Sequence, residues 1–144
     1  MAEVLACRST VAQAARVHGC SRAALEEACR QAVRAATMTR DHRTCQNCGR
    51  RACDVQHRIA RGMGGNSDPW IAFGMPNQIA VCRACHSRAE ARDTEMHALG
   101  FWLERTEDPV AVPVAALTPF GRAARWPLAD GTWSTTAPGE RAAA

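Results

Sequence analysis

The chain has 144 residues, 18 of them basic and 14 acidic, and a formal net charge of +4. That length suits one compact domain with an appendage or two, and no stretch approaches the roughly 20 apolar residues of a membrane-spanning helix. Although 47% of the residues are apolar, 29 are Ala and only 30 are Val, Leu, Ile, Met, Phe or Trp. Hydrophobic burial is therefore thin, and a metal staple would supply folding free energy that the core lacks.

Every basic residue is Arg, which a codon bias explains as readily as a function. The distribution is more informative than the total. Residues 1–41 carry six Arg against four acids, residues 42–92 eight against three, and residues 93–144 four against seven. The basic centre suits a polyanion such as nucleic acid.

The first residues, MAEVLACRST, include Glu3 and offer neither a basic n-region nor an apolar run of signal-peptide length. Reduced thiols and a cytoplasmic location are the expectation. Residues 1–40 form a helical N-terminal segment in which TVAQAARVHGCSRAALEEACRQA reads as helix, tight turn, helix. Val11, Ala14, Ala15 and Val17 are expected to make one apolar stripe. Gly19 can take the positive-φ turn, and Ser21 can cap a second helix beginning near Arg22. Leu25, Ala28 and Cys29 would face the first helix. The pattern suits a DNA-reading helix-turn-helix with Arg22 on the DNA side, or a plain helical hairpin with solvated charges.

Residues 37–44, TMTRDHRT, read as a connector into CQNCG. Cys45 and Cys48 form one CxxC pair, and Cys82 and Cys85 in CRACH form another, with 33 residues between them. Two such turns supply the four soft thiolates that a structural Zn2+ prefers, so metal binding is favoured over a disulfide or redox pair. Between the pairs, Asp54 to Ile59 is a candidate strand. Gly62, Gly64 and Gly65 with Asn66, Asp68 and Pro69 force a loop, and NQIAVC is a second strand that delivers Cys82. A helix follows through CHSRAEARDTEMHAL to Gly100, with His86 and Glu90 four apart on one face. Cys7, Cys20, Cys29 and Cys53 lack CxxC spacing and read as ordinary small residues.

Residues 101–136 turn to β structure. PVAVPVAAL, RAARWPL and GTWSTT are short candidate strands, and Asp130 with Gly131 makes a good hairpin turn. Phe101, Trp102, Trp126 and Trp133 are expected to pack this extension onto the core. Residues 137–144 are expected to be a disordered tail.

DVQHRIARGMGG followed by PNQIAVCRACH resembles the HNH endonuclease family, particularly its small zinc-containing bacteriophage-type members, over roughly residues 45–90. The resemblance implies an α+β fold with a ββα-metal core at residues 41–100, stapled by a four-cysteine zinc site. It also implies metal-dependent hydrolysis of DNA phosphodiester bonds. His57 would be the general base, a role suited to an imidazole whose pKa lies near operating pH. Asn77 would fasten the loop and orient the base, and His86 would ligate a catalytic Mg2+ or Mn2+. Phage genome processing or packaging in the bacterial host cytoplasm, with a terminase or another packaging protein as partner, completes the picture.

The chain departs from the family at Gln56, where many members carry a metal-ligating His or Asp before the base. A neutral amide is a weak ligand for a hard cation, so Asp54, on the same strand face, would supply the missing charge. Glu90 is a further candidate ligand. Arg58, Arg61 and the glycine-loop amides, including Gly64, would contact DNA phosphates. Two alternatives stand beside the nuclease: a catalytically inactive zinc-ribbon DNA-binding protein, and a zinc-stabilised interaction module that leaves His57, Asn77 and His86 unexplained.

Overall fold

The computed structural model describes residues 11–62 and 68–138, a mixed α and β fold with two small antiparallel sheets. Helix α1 (Val11–His18) and helix α2 (Arg22–Arg40) form the N-terminal hairpin. Gly19 takes φ 63° at the turn, and the Ser21 hydroxyl accepts a hydrogen bond from the Ala24 N–H at 3.1 Å. α2 runs straight through TMTR, expected as a connector. Thr37 and Met38 extend its buried stripe of Leu25, Cys29 and Val33, so tertiary contact outweighs the modest helix propensity of Thr.

That stripe packs with Ala15, Ala72, Phe73 and Met75, and Met38 meets Ala52 and Ala80. The boundary expected at residue 40 is therefore no break in packing. The expected stripe on α1 needs correction at Val17, which is 77% exposed while Ala15 is buried. Two residues apart lie about 200° apart around a helix, so one face cannot hold both.

Strand β1 (Asp54–His57) pairs antiparallel with β2 (Gln78–Val81), Asp54 opposite Val81 and His57 opposite Gln78. Between them lie α3 (Pro69–Phe73) and a 3-10 turn at Met75–Asn77. The first strand ends two residues earlier than expected, although the Arg58 N–H still bonds the Asn77 carbonyl at 2.8 Å in the same register.

After β2 come α4 (Arg83–Glu90) and α5 (Thr94–Ala98), not the single helix expected. Arg92 breaks it at φ 55°, and the Asp93 carboxylate caps a new helix by accepting from the N–H groups of Glu95 at 2.9 Å and Met96 at 3.2 Å. A short carboxylate side chain offers the backbone this alternative to a continuing helix. Among the described residues no helix is long and apolar enough to cross a membrane.

The extension forms a three-stranded sheet in the order β3 (Val114–Thr118), β4 (Gly121–Pro127), β5 (Trp133–Ser134). Residues 109–113, expected as strand, turn instead on Asp108, whose carbonyl accepts from Ala111 and Val112. At the Asp130–Gly131 hairpin Gly131 takes φ 82°, and the Thr132 N–H bonds the Asp130 carboxylate at 2.9 Å.

Contacts from two of its strands, among others, dock this sheet. The Leu117 N–H bonds the Gln46 carbonyl at 2.7 Å, and the Trp133 indole donates to the Asp41 carboxylate at 2.9 Å. Asp41 is buried and also holds the Arg40 guanidinium and the Ala80 N–H, so helix, sheet and extension meet at one carboxylate. The main core gathers Ile79, Val81, Met96, Phe101 and Val114 around Cys45, Cys82 and Cys85.

Candidate metal centre and adjoining cleft

The first cysteine pair is shaped by a tight turn: the Gly49 N–H returns to the Cys45 carbonyl at 2.9 Å and Gly49 takes φ 75°. The second pair sits on α4, with Cys82 at the N-cap and Cys85 in the first turn. The sulfurs of Cys45, Cys48, Cys82 and Cys85 all lie within 4.8 Å of one another, and Cys48 and Cys82 are 3.6 Å apart. Four ligands at about 2.3 Å from a tetrahedral Zn2+ stand roughly 3.8 Å from each other. The cluster is compatible with a zinc site.

Surrounding donors suit anionic sulfur. Asn47 Nδ2 donates to Cys85 Sγ at 3.2 Å, and the backbone N–H groups of Cys82, Cys48 and Asn47 face Cys45 Sγ. Burial pushes the Cys48 thiol up, yet hydrogen bonds from the Arg50 side chain and backbone, and from Cys45 and Cys82, outweigh it and bring the thiol down to about 6. Burial dominates at Cys85 and raises it to about 12. Among the described His, Cys, Asp and Glu residues, no other group of three is gathered as closely.

Beside the cluster, β1, α4 and the segment after α5 enclose a cleft of about 470 Å³ that includes His57, Gln56, His86 and Glu90. His86 lies between two carboxylates, its Nδ1 3.6 Å from Asp54 and its Nε2 3.6 Å from Glu90. Asp54 is largely covered and also pairs with Arg83 at 3.1 Å, whereas Glu90 is mostly exposed. Gln56 is buried; its Nε2 donates to the His57 carbonyl at 2.8 Å, and its Oε1 has no hydrogen-bond partner among the described residues. Asn77 is fully buried and ties three strands of chain together: its Oδ1 accepts from the Ile59 N–H at 2.7 Å, and its Nδ2 donates to Ile59 and Ile71 carbonyls.

Burial is the main cause that holds the His57 imidazole down to about 4, and the Arg61 and His86 charges act in the same direction against a hydrogen bond with the Ala72 backbone. The imidazole is therefore neutral near pH 7, able to accept a proton. Its folded pKa lies below the unfolded value of about 6.5, so its contribution is complete above that pH and is lost as pH falls toward 4. An NMR titration of the zinc-loaded protein, without added Mg2+ or Mn2+, is expected to place the His57 midpoint well below 6.5; a midpoint at the free-imidazole value would contradict its burial.

Among the residues expected to touch DNA, Arg58 requires correction. It is 1% exposed, and its guanidinium donates to the carbonyls of Gly100, Pro76, Pro109, Val112 and Pro113. Its donors are committed inside the fold, so no phosphate contact remains to it. Arg22 forms an exposed pair with Glu26 at 2.7 Å, as expected of a solvated helix face. Arg61 lines the cleft. Gly64 and Gly65 lie outside the described residues, as do Cys7 and positions 139–144 of the expected tail.

Sequence reasoning missed Arg92, Leu103 and Arg105, which line the same cleft. No local signal marks them: Arg105 lies in the acidic run ERTED, and Arg92 is placed by a helix break. Comparison of the chain with protein-family models, curated proteins and solved structures found no match.

Proposed function

We propose that this chain is a metal-dependent endonuclease of the HNH type that hydrolyses DNA phosphodiester bonds. The observation that carries this reading is the meeting of His57 and His86 in one cleft, with Asn77 pinning the chain behind the base and the four cysteines gripping the turn and helix on either side. His57, kept neutral by burial, takes the proton of the attacking water. His86, flanked by Asp54 and Glu90, and the unpartnered Gln56 Oε1 suit a divalent Mg2+ or Mn2+. Such an ion supplies Lewis-acid stabilisation of the phosphate and the leaving oxygen. A place in phage genome processing, beside a terminase or similar packaging protein, belongs to the same proposal and rests on the family resemblance.

A nicking assay on supercoiled plasmid with Mg2+ or Mn2+ tests it. His57→Ala is expected to lose roughly 10²- to 10⁴-fold in rate, the span typical of a general base. Equal cutting by wild type and His57→Ala would remove the base assignment. Asp54→Ala is expected to lose more than Glu90→Ala, since Asp54 is largely covered and Glu90 mostly solvated. The second reading, a zinc-ribbon protein that binds DNA without cutting it, is favoured by the neutral Gln56 and by His86, Asp54 and Glu90 not being gathered as the cysteines are. Binding by wild type without cleavage under either ion would select it.

A further inference from the structure

The His57–His86 cleft has a second wall that the proposed chemistry does not use. It is made by the turn after α4 and by the segment that follows α5, and it presents Arg92 and Arg105 to the cleft that Arg61 also lines. Glu90 is the one carboxylate among the described lining residues. Arg61 and Arg105 make no ion pair or hydrogen bond with a described residue, and Arg92 has only a loose, exposed pair with Glu104 at 3.8 Å. Guanidinium groups that fold stability does not engage, gathered on a concave surface, point to an anionic partner.

Arg92 also occupies a place where arginine is disfavoured. It follows the C-cap of α4 at φ 55°, in the left-handed region that a helix end normally gives to glycine. In that conformation its guanidinium lies 5.6 Å from the centre of the Trp102 ring. Trp102 is held in turn by the His97 ring, tilted 36° to it with centroids 4.4 Å apart, and by its indole N–H on the Asp93 carbonyl at 2.7 Å. Trp102 is thus engaged as a platform for an arginine and is not free to stack an unpaired base. Arg105 reaches across the entry to the glycine loop, its NH2 3.8 Å from where a Gly62 Cβ would stand.

We infer that Arg92 and Arg105, with Arg61 in the same cleft, grip the phosphate backbone of a nucleic acid beside the scissile bond. This rests on the nucleic-acid part of the function proposed above. The grip reads no bases. The cleft's one side-chain amide, Gln56, uses its N–H on the His57 carbonyl, and the Trp102 ring is occupied. Backbone contacts of this kind fix position without carrying sequence information.

The test is the salt dependence of binding by the full-length, zinc-loaded protein, read by fluorescence anisotropy on two labelled DNA duplexes of unrelated sequence. Arg92→Gly and Arg105→Gln are each expected to reduce the slope of log K against log salt by about 1, equally on both duplexes. Arg51→Gln, exposed outside the cleft, is expected to leave the slope unchanged. Arg92→Gly should in addition melt at the same or a higher temperature, since glycine accepts the left-handed conformation without strain. Loss of binding with retained stability separates a contact residue from a structural one.

An unchanged slope in both cleft variants would overturn the grip while leaving the nuclease proposal intact. Reduced slopes in a protein that never cuts would uphold the grip and remove the nuclease. A wild-type protein that does not bind either duplex would overturn the grip outright.

Discussion

Removing the metal from this chain, by a strong chelator or by Cys45→Ser or Cys82→Ser, is expected to abolish cooperative folding. The four cysteines do not decorate a finished core. Cys45, Cys82 and Cys85 stand inside it, among Ile79, Val81, Met96 and Phe101. Without the ion, their packing depends on a chain poor in large apolar side chains. Structural zinc sites contribute about 10–16 kcal/mol in small modules, as much as or more than the roughly 5–15 kcal/mol by which whole domains are stable.

The expected results are one zinc per chain by elemental analysis, loss of the near-ultraviolet dichroism on chelation, and recovery on adding zinc back. Loading is also expected to release protons, because cysteine thiols, with an ordinary pKa of about 8.5, are protonated at neutral pH and bind zinc as thiolates. Zinc affinity should therefore fall as pH falls. A protein that keeps its structure and its urea midpoint without metal would show that the cluster is no staple.

Arg58→Ala is expected to destabilise the protein by several kcal/mol, since each buried acceptor left without its donor costs about 1–3 kcal/mol. The substitution would leave the carbonyls of Gly100, Pro76, Pro109, Val112 and Pro113 without their donor in a closed interior. Each unsatisfied buried acceptor carries a desolvation penalty. Arg58→Lys should not restore stability, since an ammonium has three donors on a point charge and cannot match a planar fork.

Urea unfolding of the zinc-loaded protein measures the loss. A variant with the wild-type midpoint that lost only DNA affinity would return Arg58 to the phosphate role first expected of it. The same contacts join residues 109–113 to the strand end that carries His57. A piece ending near residue 100 should therefore not fold alone.

Arg58 also shows why part of the site was hidden in the sequence. Its neighbours His57 and Arg61 line the cleft, and nothing in DVQHRIARG distinguishes an arginine pointing outward from one pointing in. Its carbonyl partners lie up to 55 residues away, and no periodicity spans that distance. Arg105 is the converse. Summed charge makes residues 93–144 acidic, yet that one arginine is carried to the basic cleft by the packing of the segment around it. Net charge averages over a surface, while a site depends on a few side chains.

Features governed by near neighbours were legible. Ser21 caps α2, Gly19 and Gly131 turn the chain, and the two CxxC pairs bring four sulfurs together, each through short-range backbone chemistry that spacing reveals. Asn77 was legible as a loop fastener, although only the fold supplies the Ile59 and Ile71 backbone groups it binds.

The amino-acid sequence by itself determined that this chain carries a four-cysteine cluster framing His57, Asn77 and His86, because ligand spacing and turn residues act over a few positions. Only the tertiary structure decided that His86 stands between Asp54 and Glu90, that Arg58 is spent on the interior, and that Arg92 and Arg105 complete the cleft. Those outcomes depend on which distant backbone groups need donors and which side chains the packed core leaves at its surface, and both are properties of the closed fold.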